Sequence, residues 1–294
     1  VRIDRAFVMA AAEGQPARLV LDLAATDRDS FLRNIALENR PARTQRQPAV
    51  AVKPDGDPRP VIVLDPGHGG IDTGTHGLDG ELEKDVVLTF ATEVRDKLAQ
   101  SGKYRVLMTR TDDTFVPLNE RVRFARSHNA SLFISIHADS LPKKEGQAEG
   151  ATVYTLSEHA SDAEAARLAD DENKADVIAG VDLTAEPDDV ANILVDLAQR
   201  ETKTFSLQFA HSTFKEFKTV ARLHKRPLKS AGFVVLKAPD VPSVLIELGY
   251  MSNRGDLSHL VNAEWRSKTA TALAHAVDDF FAPRFAGAAA MGAR

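Results

Sequence analysis

Three polar side chains that can bind a metal ion or move a proton stand directly behind short apolar runs of the chain. The runs and their polar residues are 61–64 before His68, 132–136 before His137, and 244–246 before Glu247. In open α/β sheets, ligands bind outside the carboxyl ends of the parallel strands. The pattern therefore predicts that these three side chains meet at one edge of a sheet. Glu83 is a fourth candidate, fifteen positions after His68 at the start of the next helical pattern.

Two histidines and one carboxylate match a catalytic zinc site, which has three protein ligands and one position open for water. The chain has no cysteine, so His, Asp or Glu side chains must hold any metal ion. Zinc lowers the pKa of a bound water to about 7, which makes hydroxide available at neutral pH. A fourth protein ligand would close the site, so Glu247 fits better as general base and acid. The residue types indicate a hydrolytic site.

Other interpretations of single residues stay open at this point. Asp65 lies in the turn sequence Asp65-Pro66-Gly67 and is interpreted as structural. Glu81 competes with Glu83 as a ligand, and Glu83 could instead complement a helix N-terminus. His76 could line the site. Two histidines and one glutamate favour zinc among the common divalent ions.

The composition excludes several classes of protein. The chain has 294 residues, a net charge of −5 and 43% hydrophobic residues, which suffices for a buried core. No stretch approaches the roughly 18 consecutive apolar residues of a membrane span. The mildly acidic balance argues against a nucleic-acid partner. The sequence begins at Val1 without a signal peptide, so we expect that a leader was removed or lies outside it.

The order of patterns predicts an α/β domain behind a small β fragment. Residues 1–37 are β-rich, with a strand at 17–23, and residues 38–59 form a proline-rich linker. Residues 60–282 alternate strands and helices, which predicts a mostly parallel sheet with helices on both faces. Residues 283–294 are predicted to be a disordered tail. The predicted strands are 61–64, 105–109, 132–136, 151–156, 234–236 and 244–246, and the predicted helices include 118–127, 190–217 and 264–281.

An acidic segment interrupts the sheet pattern after residue 156. Residues 157–189 carry eleven acids and two bases, a net charge of −9, which leaves +4 for the rest of the chain. One interpretation is a solvated helical insertion with no role at the metal. The other is a cover for the site.

The ordered motifs of residues 61–282 resemble the zinc-dependent N-acetylmuramoyl-L-alanine amidases of bacterial cell division. These motifs are Leu64-Asp65-Pro66-Gly67-His68-Gly69-Gly70, Glu83-Lys84-Asp85, Thr109-Arg110-Thr111-Asp112, Leu118-Asn119-Glu120-Arg121, Ser135-Ile136-His137-Ala138-Asp139 and Ile246-Glu247. The resemblance implies that His68, Glu83 and His137 bind one zinc ion and that Glu247 is catalytic. Residues 1–37 resemble the end of the N-terminal targeting domain of periplasmic members.

The resemblance also implies the reaction, the cellular compartment and the regulation of the protein. The reaction is hydrolysis of the amide between N-acetylmuramic acid and the L-alanine of the stem peptide, in the periplasm, during septal cell-wall splitting. Residues 157–205 resemble a regulatory helical insertion that lies over the site. We hypothesise that Glu172, or else Glu164, binds the zinc and holds the enzyme off until an activator of the division machinery binds the insertion. A non-catalytic cell-wall scaffold and a zinc peptidase acting within the stem peptide are the alternatives.

Overall fold

The computed structural model describes residues 2–9, 18–24, 57–140, 149–180 and 192–292. The chain divides into two units, residues 1–49 and residues 50–294. In the first unit, β1 (Arg2–Met9) and β2 (Arg18–Ala24) form an antiparallel pair. This pair confirms the predicted β-rich fragment, whose identity as part of a targeting domain stays a prediction. Most of the predicted linker 38–59 lies outside the described residues.

The second unit is built on a six-stranded sheet. Its strands are β3 (Val61–Pro66), β4 (Arg105–Met108), β5 (Leu132–His137), β6 (Ala151–Leu156), β7 (Leu223–Ala231) and β8 (Ser243–Glu247). The strand order is β4-β3-β5-β8-β6-β7. The first four strands of this order are parallel, whereas β6 runs antiparallel to β8 and parallel to β7. The sheet is therefore mostly parallel, as predicted.

Helices cover both faces of this sheet, which confirms the predicted α/β class. They are α1 (Glu83–Gln100), α2 (Leu118–Ser127), α3 (Ala163–Glu172), α4 (Ala175–Ile178), α5 (Asn192–Phe217), α6 (Arg254–Leu260) and α7 (Ala263–Gly292). Alternate side chains of β3 serve the two faces, because successive residues of a strand point to opposite sides. Ile62 and Leu64 pack with α1, α5 and α7. Val61 and Val63 pack with α2 and α3.

Several elements differ from the sequence prediction, among them helix α6, which was not predicted. Residues Val234–Leu236 form a single 3₁₀ turn and not a strand. Strand β7 was not predicted, because its His-Lys-Arg-Pro segment lacks the apolar run of a buried strand and lies at the edge of the sheet. Helix α7 passes through Pro283 and continues to Gly292, where a disordered tail was predicted. The alanine-rich sequence after Pro283 favours a helix.

No helix in the described part of the chain is both long enough and apolar enough to cross a membrane.

Candidate metal centre

Four buried side chains converge at the carboxyl edge of β3 and β5. His68, Glu83, His137 and Glu172 each bring one ligand atom into a group whose members lie within 4.8 Å of one another. Glu83 Oε1 is 3.1 Å from His68 Nε2 and 3.4 Å from His137 Nδ1. Glu172 Oε2 is 3.8 Å and 3.2 Å from the same two nitrogens. The structure thus brings together the three ligands implied by the resemblance. It also places the carboxylate of the hypothesised Glu172 beside them.

The two imidazoles have the property expected of metal ligands. His68 Nε2 and His137 Nδ1 are buried, and neither has a hydrogen-bond partner among the described residues. A buried polar atom without a partner costs free energy, and a cation between the two nitrogens removes that cost. Burial opposes ionisation of Glu83, yet nearby His68 and His137 hold the pKa of its carboxyl well below its usual range. Two imidazoles with an ionised carboxylate fit zinc.

The backbone at His68 is strained, and two buried arginines hold it in place. His68 has a φ of 58°, in the left-handed region that side chains other than glycine rarely occupy. Arg121 donates to the carbonyl oxygens of Pro66 and His68, both at 2.8 Å. Arg110 donates to the carbonyl oxygens of Pro66 at 3.0 Å and Gly67 at 2.7 Å. These charge-assisted bonds fix the loop that presents His68.

Asp65 holds Arg121, one of the two arginines that fix the His68 loop. Its carboxylate accepts hydrogen bonds from Arg121 at 2.8 Å, Thr109 at 2.6 Å and Ser135 at 2.8 Å. Complete burial would raise the pKa of Asp65, but the Arg121 guanidinium and these hydrogen bonds lower it below its usual value. Asp65 is not one of the clustered ligand groups, and its hydrogen bonds support its interpretation as structural.

Asp72 is a site residue that the sequence reasoning missed. Its Oδ2 lies 2.9 Å from His68 Nδ1, and its Oδ1 accepts a hydrogen bond from the Gly74 amide at 3.1 Å. A carboxylate on the outer nitrogen of a metal-binding histidine fixes the tautomer and orients the ring. His68 therefore presents Nε2 to the cluster. The available signal was an acid inside the glycine-rich loop that follows His68.

Two glycines make room for the ligand side chains. A Cβ on Gly67 would lie 2.3 Å from Cε1 of the His137 ring. A Cβ on Gly74 would lie 2.6 Å from His68 Cδ2 and 2.7 Å from Glu83 Oε2, and Gly74 has a φ of +63°. Any larger residue at either position displaces a ligand.

Glu83 is oriented by two backbone amides. Its Oε1 accepts from Ala138 at 2.9 Å, and its Oε2 accepts from Thr75 at 2.9 Å. Its side chain therefore does more than complement the N-terminus of α1. Glu81 lies outside the cluster and accepts from the Asp79 amide at 3.2 Å. His76 is exposed and also lies outside it.

Glu247 lies beside His137 in the register between β8 and β5. Its Oε2 accepts a hydrogen bond from the Asp139 amide at 3.0 Å, while its buried Oε1 has no partner among the described residues. Burial and the nearby carboxylates of Asp139 and Glu83 hold the pKa of Glu247 well above its usual range. A carboxylate with one fixed oxygen, one unpartnered oxygen and a raised pKa can accept and return a proton.

Helix α3 carries Glu172 into the cluster from the acidic insertion. Ala165, Leu168 and Ala169 bury one stripe of the helix against the sheet, at the spacing of an amphipathic helix. The Asp162 side chain accepts from the Ala165 amide at 2.9 Å and caps the first turn. Glu164 lies in this first turn, and Glu172 is the last residue of the helix. The structure therefore places Glu172, and not Glu164, beside the two histidines.

The comparisons with known proteins agree with this geometry. The Amidase_3 family model, described as N-acetylmuramoyl-L-alanine amidase, matches residues 62–279. The chain belongs to this family. The membership confirms the resemblance in the sequence motifs, and with it the assignment as a peptidoglycan amidase.

Individual relatives match over most of this amidase. It is 45% identical over 222 residues to N-acetylmuramoyl-L-alanine amidase AmiA of Escherichia coli strain K12, covering 75% of this chain and 76% of that protein. It is 35% identical over 290 residues to AmiC of Escherichia coli O6:H1, covering 94% of this chain and 68% of that protein. The solved structure of amidase AmiC2 of Nostoc punctiforme superposes with a TM-score of 0.54 at 27% identity, covering 76% of this chain and 97% of that one.

Proposed function

We propose that this amidase is zinc-dependent and hydrolyses the amide between the lactyl group of N-acetylmuramic acid and the L-alanine of the stem peptide. The observation that carries the proposal is the pair of unpartnered imidazole nitrogens facing Glu83, with the buried carboxylate of Glu247 next to His137. When bound, a zinc ion supplies Lewis-acid polarisation of the carbonyl and lowers the pKa of a water molecule. His68, Glu83 and His137 would hold it.

Glu247 supplies the proton transfers that amide hydrolysis requires. An amide nitrogen leaves poorly unless it is protonated, so a group must take a proton from the attacking water and deliver it to the amine. Glu247 Oε1 is the acceptor in this proposal, because Oε2 is held by the Asp139 amide.

We further propose that the insertion keeps the amidase off. Glu172 Oε2 is 3.2 Å from His137 Nδ1, so its carboxylate takes the position that water and substrate need. An activator protein that binds the insertion would withdraw α3 and open the site, which requires two arrangements of one helix and no new chemistry. Val177 and Ile178 of α4 are 61% and 59% exposed, and they offer such a partner an apolar contact.

The proposed cellular role follows from the substrate. Peptidoglycan lies outside the cytoplasm, so we place the protein in the periplasm, acting in septal cell-wall splitting. The relatives AmiA and AmiC are named as N-acetylmuramoyl-L-alanine amidases, which supports peptidoglycan as the substrate.

The proposal is tested by identifying the products released from purified peptidoglycan. The wild-type chain and Glu172→Ala are loaded with zinc, incubated with the substrate and analysed by mass spectrometry. We expect Glu172→Ala to release stem peptides that begin with L-alanine, at least tenfold faster than wild type. A chelator should abolish the release, and added zinc should restore it. Glu247→Gln in the Glu172→Ala background should retain metal without turnover.

Each alternative predicts a different product. Asp170→Ala, an exposed acid of the same helix, is the matched control and should keep the low wild-type rate. Fragments cut within the stem peptide would identify a peptidase. Intact walls with metal-loaded Glu172→Ala would favour the scaffold. Equal rates for wild type and Glu172→Ala would refute autoinhibition and leave the amidase assignment untouched.

A further inference from the structure

A second cluster of buried polar groups lies at the opposite end of α3 from the metal centre. Lys229 Nζ is 2.9 Å from Glu164 Oε1 and 3.5 Å from Asp162 Oδ2. The Tyr250 hydroxyl donates to the same Glu164 oxygen at 2.8 Å. His224 Nε2 lies 3.7 Å from Glu164 Oε2. One carboxylate of the insertion is thus surrounded by a cation, a hydroxyl and an imidazole.

The members of this cluster belong to two different parts of the molecule. Lys229 and His224 stand on β7, and Tyr250 follows β8, so all three groups around the carboxylate are held by the sheet. Asp162 and Glu164 both belong to the start of α3. If α3 withdraws, as the proposed function requires, Lys229 loses both carboxylates at once. The groups that surrounded Glu164 then form a pocket open to another anion.

The burial of Lys229 is unusual for an edge strand. Charged side chains on such strands normally face solvent and block edge-to-edge pairing. Arg226 does so, with 73% of its side chain exposed, whereas only 1% of the Lys229 side chain is exposed. The register between β6 and β7 shifts between Ala151 and Val153, and such irregularities re-aim side chains. A buried ammonium group needs an anion.

The pocket lies within reach of a peptide bound at the reaction centre. Glu164 and Glu172 are eight residues apart on α3, which corresponds to about 12 Å along the helix axis. An extended peptide advances roughly 3.3–3.6 Å per residue. A chain leaving the metal centre along the path of α3 reaches the pocket after about three or four residues. Tyr250, three residues after Glu247, joins the two sites through one loop.

We propose that Lys229, Tyr250 and His224 form a subsite for a carboxylate of the stem peptide, and that Glu164 occupies it in the closed state as a mimic of the substrate. This inference rests on the proposed function, because it needs a withdrawn α3 and a peptide substrate. In this arrangement α3 blocks two sites at once: Glu172 covers the metal centre, and Glu164 covers the subsite.

The test measures peptide binding without bond cleavage. The full-length double variant Glu164→Ala/Glu172→Ala removes the two carboxylates that cover the sites. Its affinity is measured by calorimetry for a stem peptide with free carboxylates and for the same peptide with its carboxylates amidated. We expect the free acid to bind on the order of tenfold more tightly, as hydrogen bonds to a charged group allow. Adding Lys229→Met should remove this preference, whereas adding Lys225→Met, an exposed neighbour, should preserve it.

A second variant tests the subsite in case Lys229→Met does not fold. Tyr250→Phe removes one hydroxyl and leaves the charged groups of the pocket unchanged, and it should reduce the preference severalfold. Equal binding of acid and amide by the double variant would overturn the subsite, as would a preference that survives both Lys229→Met and Tyr250→Phe. Because binding requires no turnover, these outcomes are independent of the product assay. A failed amidase assignment would instead appear as wrong or missing products there.

Discussion

The affinity of the candidate centre for metal depends on side chains that are not ligands. Asp72 holds the outer nitrogen of His68, and its own position is fixed by the Gly74 amide. Burial opposes the charge of Asp72, but hydrogen bonding and proximity to His68 lower the pKa of this carboxyl. The histidine thus meets the metal centre with its ring already oriented.

Replacing Asp72 should weaken metal binding without unfolding the protein. We expect Asp72→Ala to lower zinc affinity about 10–100-fold, the usual effect of losing such a partner. Asp72→Asn should lose less, because its amide oxygen still accepts from Nδ1. Competition with a chromogenic chelator measures this directly. Asp79→Ala, an exposed acid of the same loop, is the control, and wild-type affinity in Asp72→Ala would exclude a positioning role.

At the scale of elements, both ends of α3 are hydrogen-bonded to segments that follow β7 and β8. Near its start, Glu164 bonds to Tyr250 and lies against Lys229. Beyond its end, Asn173 donates to the Gly232 carbonyl at 3.0 Å and accepts from the Val234 amide at 2.8 Å. The closed arrangement therefore rests on hydrogen bonds as well as on Glu172 at the metal.

Loosening one end of α3 should raise basal activity. Asn173→Ala removes both hydrogen bonds and leaves the Val234 amide without its acceptor, which costs about 1–3 kcal/mol. We expect a severalfold to tenfold faster release of stem peptides without an activator. Asp171→Ala, which removes only an exposed ion pair with Lys174, should match wild type in the same assay. Identical rates for Asn173→Ala and wild type would mean that this end does not hold the helix closed.

At the scale of the whole molecule, charge is divided between the insertion and the rest. Residues 157–189 carry −9, and the remaining residues carry +4. The structure brings the two signs into contact at Asp162, Glu164 and Lys229. The mildly basic remainder of the chain suits a substrate with peptide carboxylates, and the acidic insertion competes for the same groups.

The stability of the sheet unit depends on the buried pair of Asp65 and Arg121, which joins β3 to α2. Arg121→Leu leaves the Asp65 carboxylate buried without its cation, and we expect a loss of about 3–5 kcal/mol in the free energy of unfolding at pH 7. Denaturant titration measures this loss. Arg123→Leu removes an exposed pair with Glu120 on the same helix and should cost at most about 1 kcal/mol.

The effect of Arg121→Leu should depend on pH in a defined direction. The folded-state pKa of Asp65 is lowered, so its contribution to stability is present above the unfolded-state pKa, about 3.9 for Asp. That contribution is lost as the pH falls through the folded-state pKa. The difference between Arg121→Leu and wild type should therefore shrink in acid. A difference that stays constant from pH 7 to pH 3 would show that the charge of Asp65 is not the cause.

The sequence by itself determined the sheet unit and the principal site residues. Apolar runs that end in His68, His137 and Glu247 mark strands whose carboxyl ends meet, because parallel strands deliver their ends to one edge. The ordered motifs added Glu83 and the family. These features are local in the chain, so pattern and spacing were enough to find them.

Only the tertiary structure decided which acids meet which partners. Nothing local distinguishes Glu172 from Glu164, Asp72 from Glu81, or Lys229 from the exposed Lys225. Their roles depend on the direction of α3, the course of the loop after His68 and the register shift at β7, each of which is set by contacts between distant parts of the chain. The environment of an ionisable side chain is a property of the packed molecule, and no sequence pattern carries it.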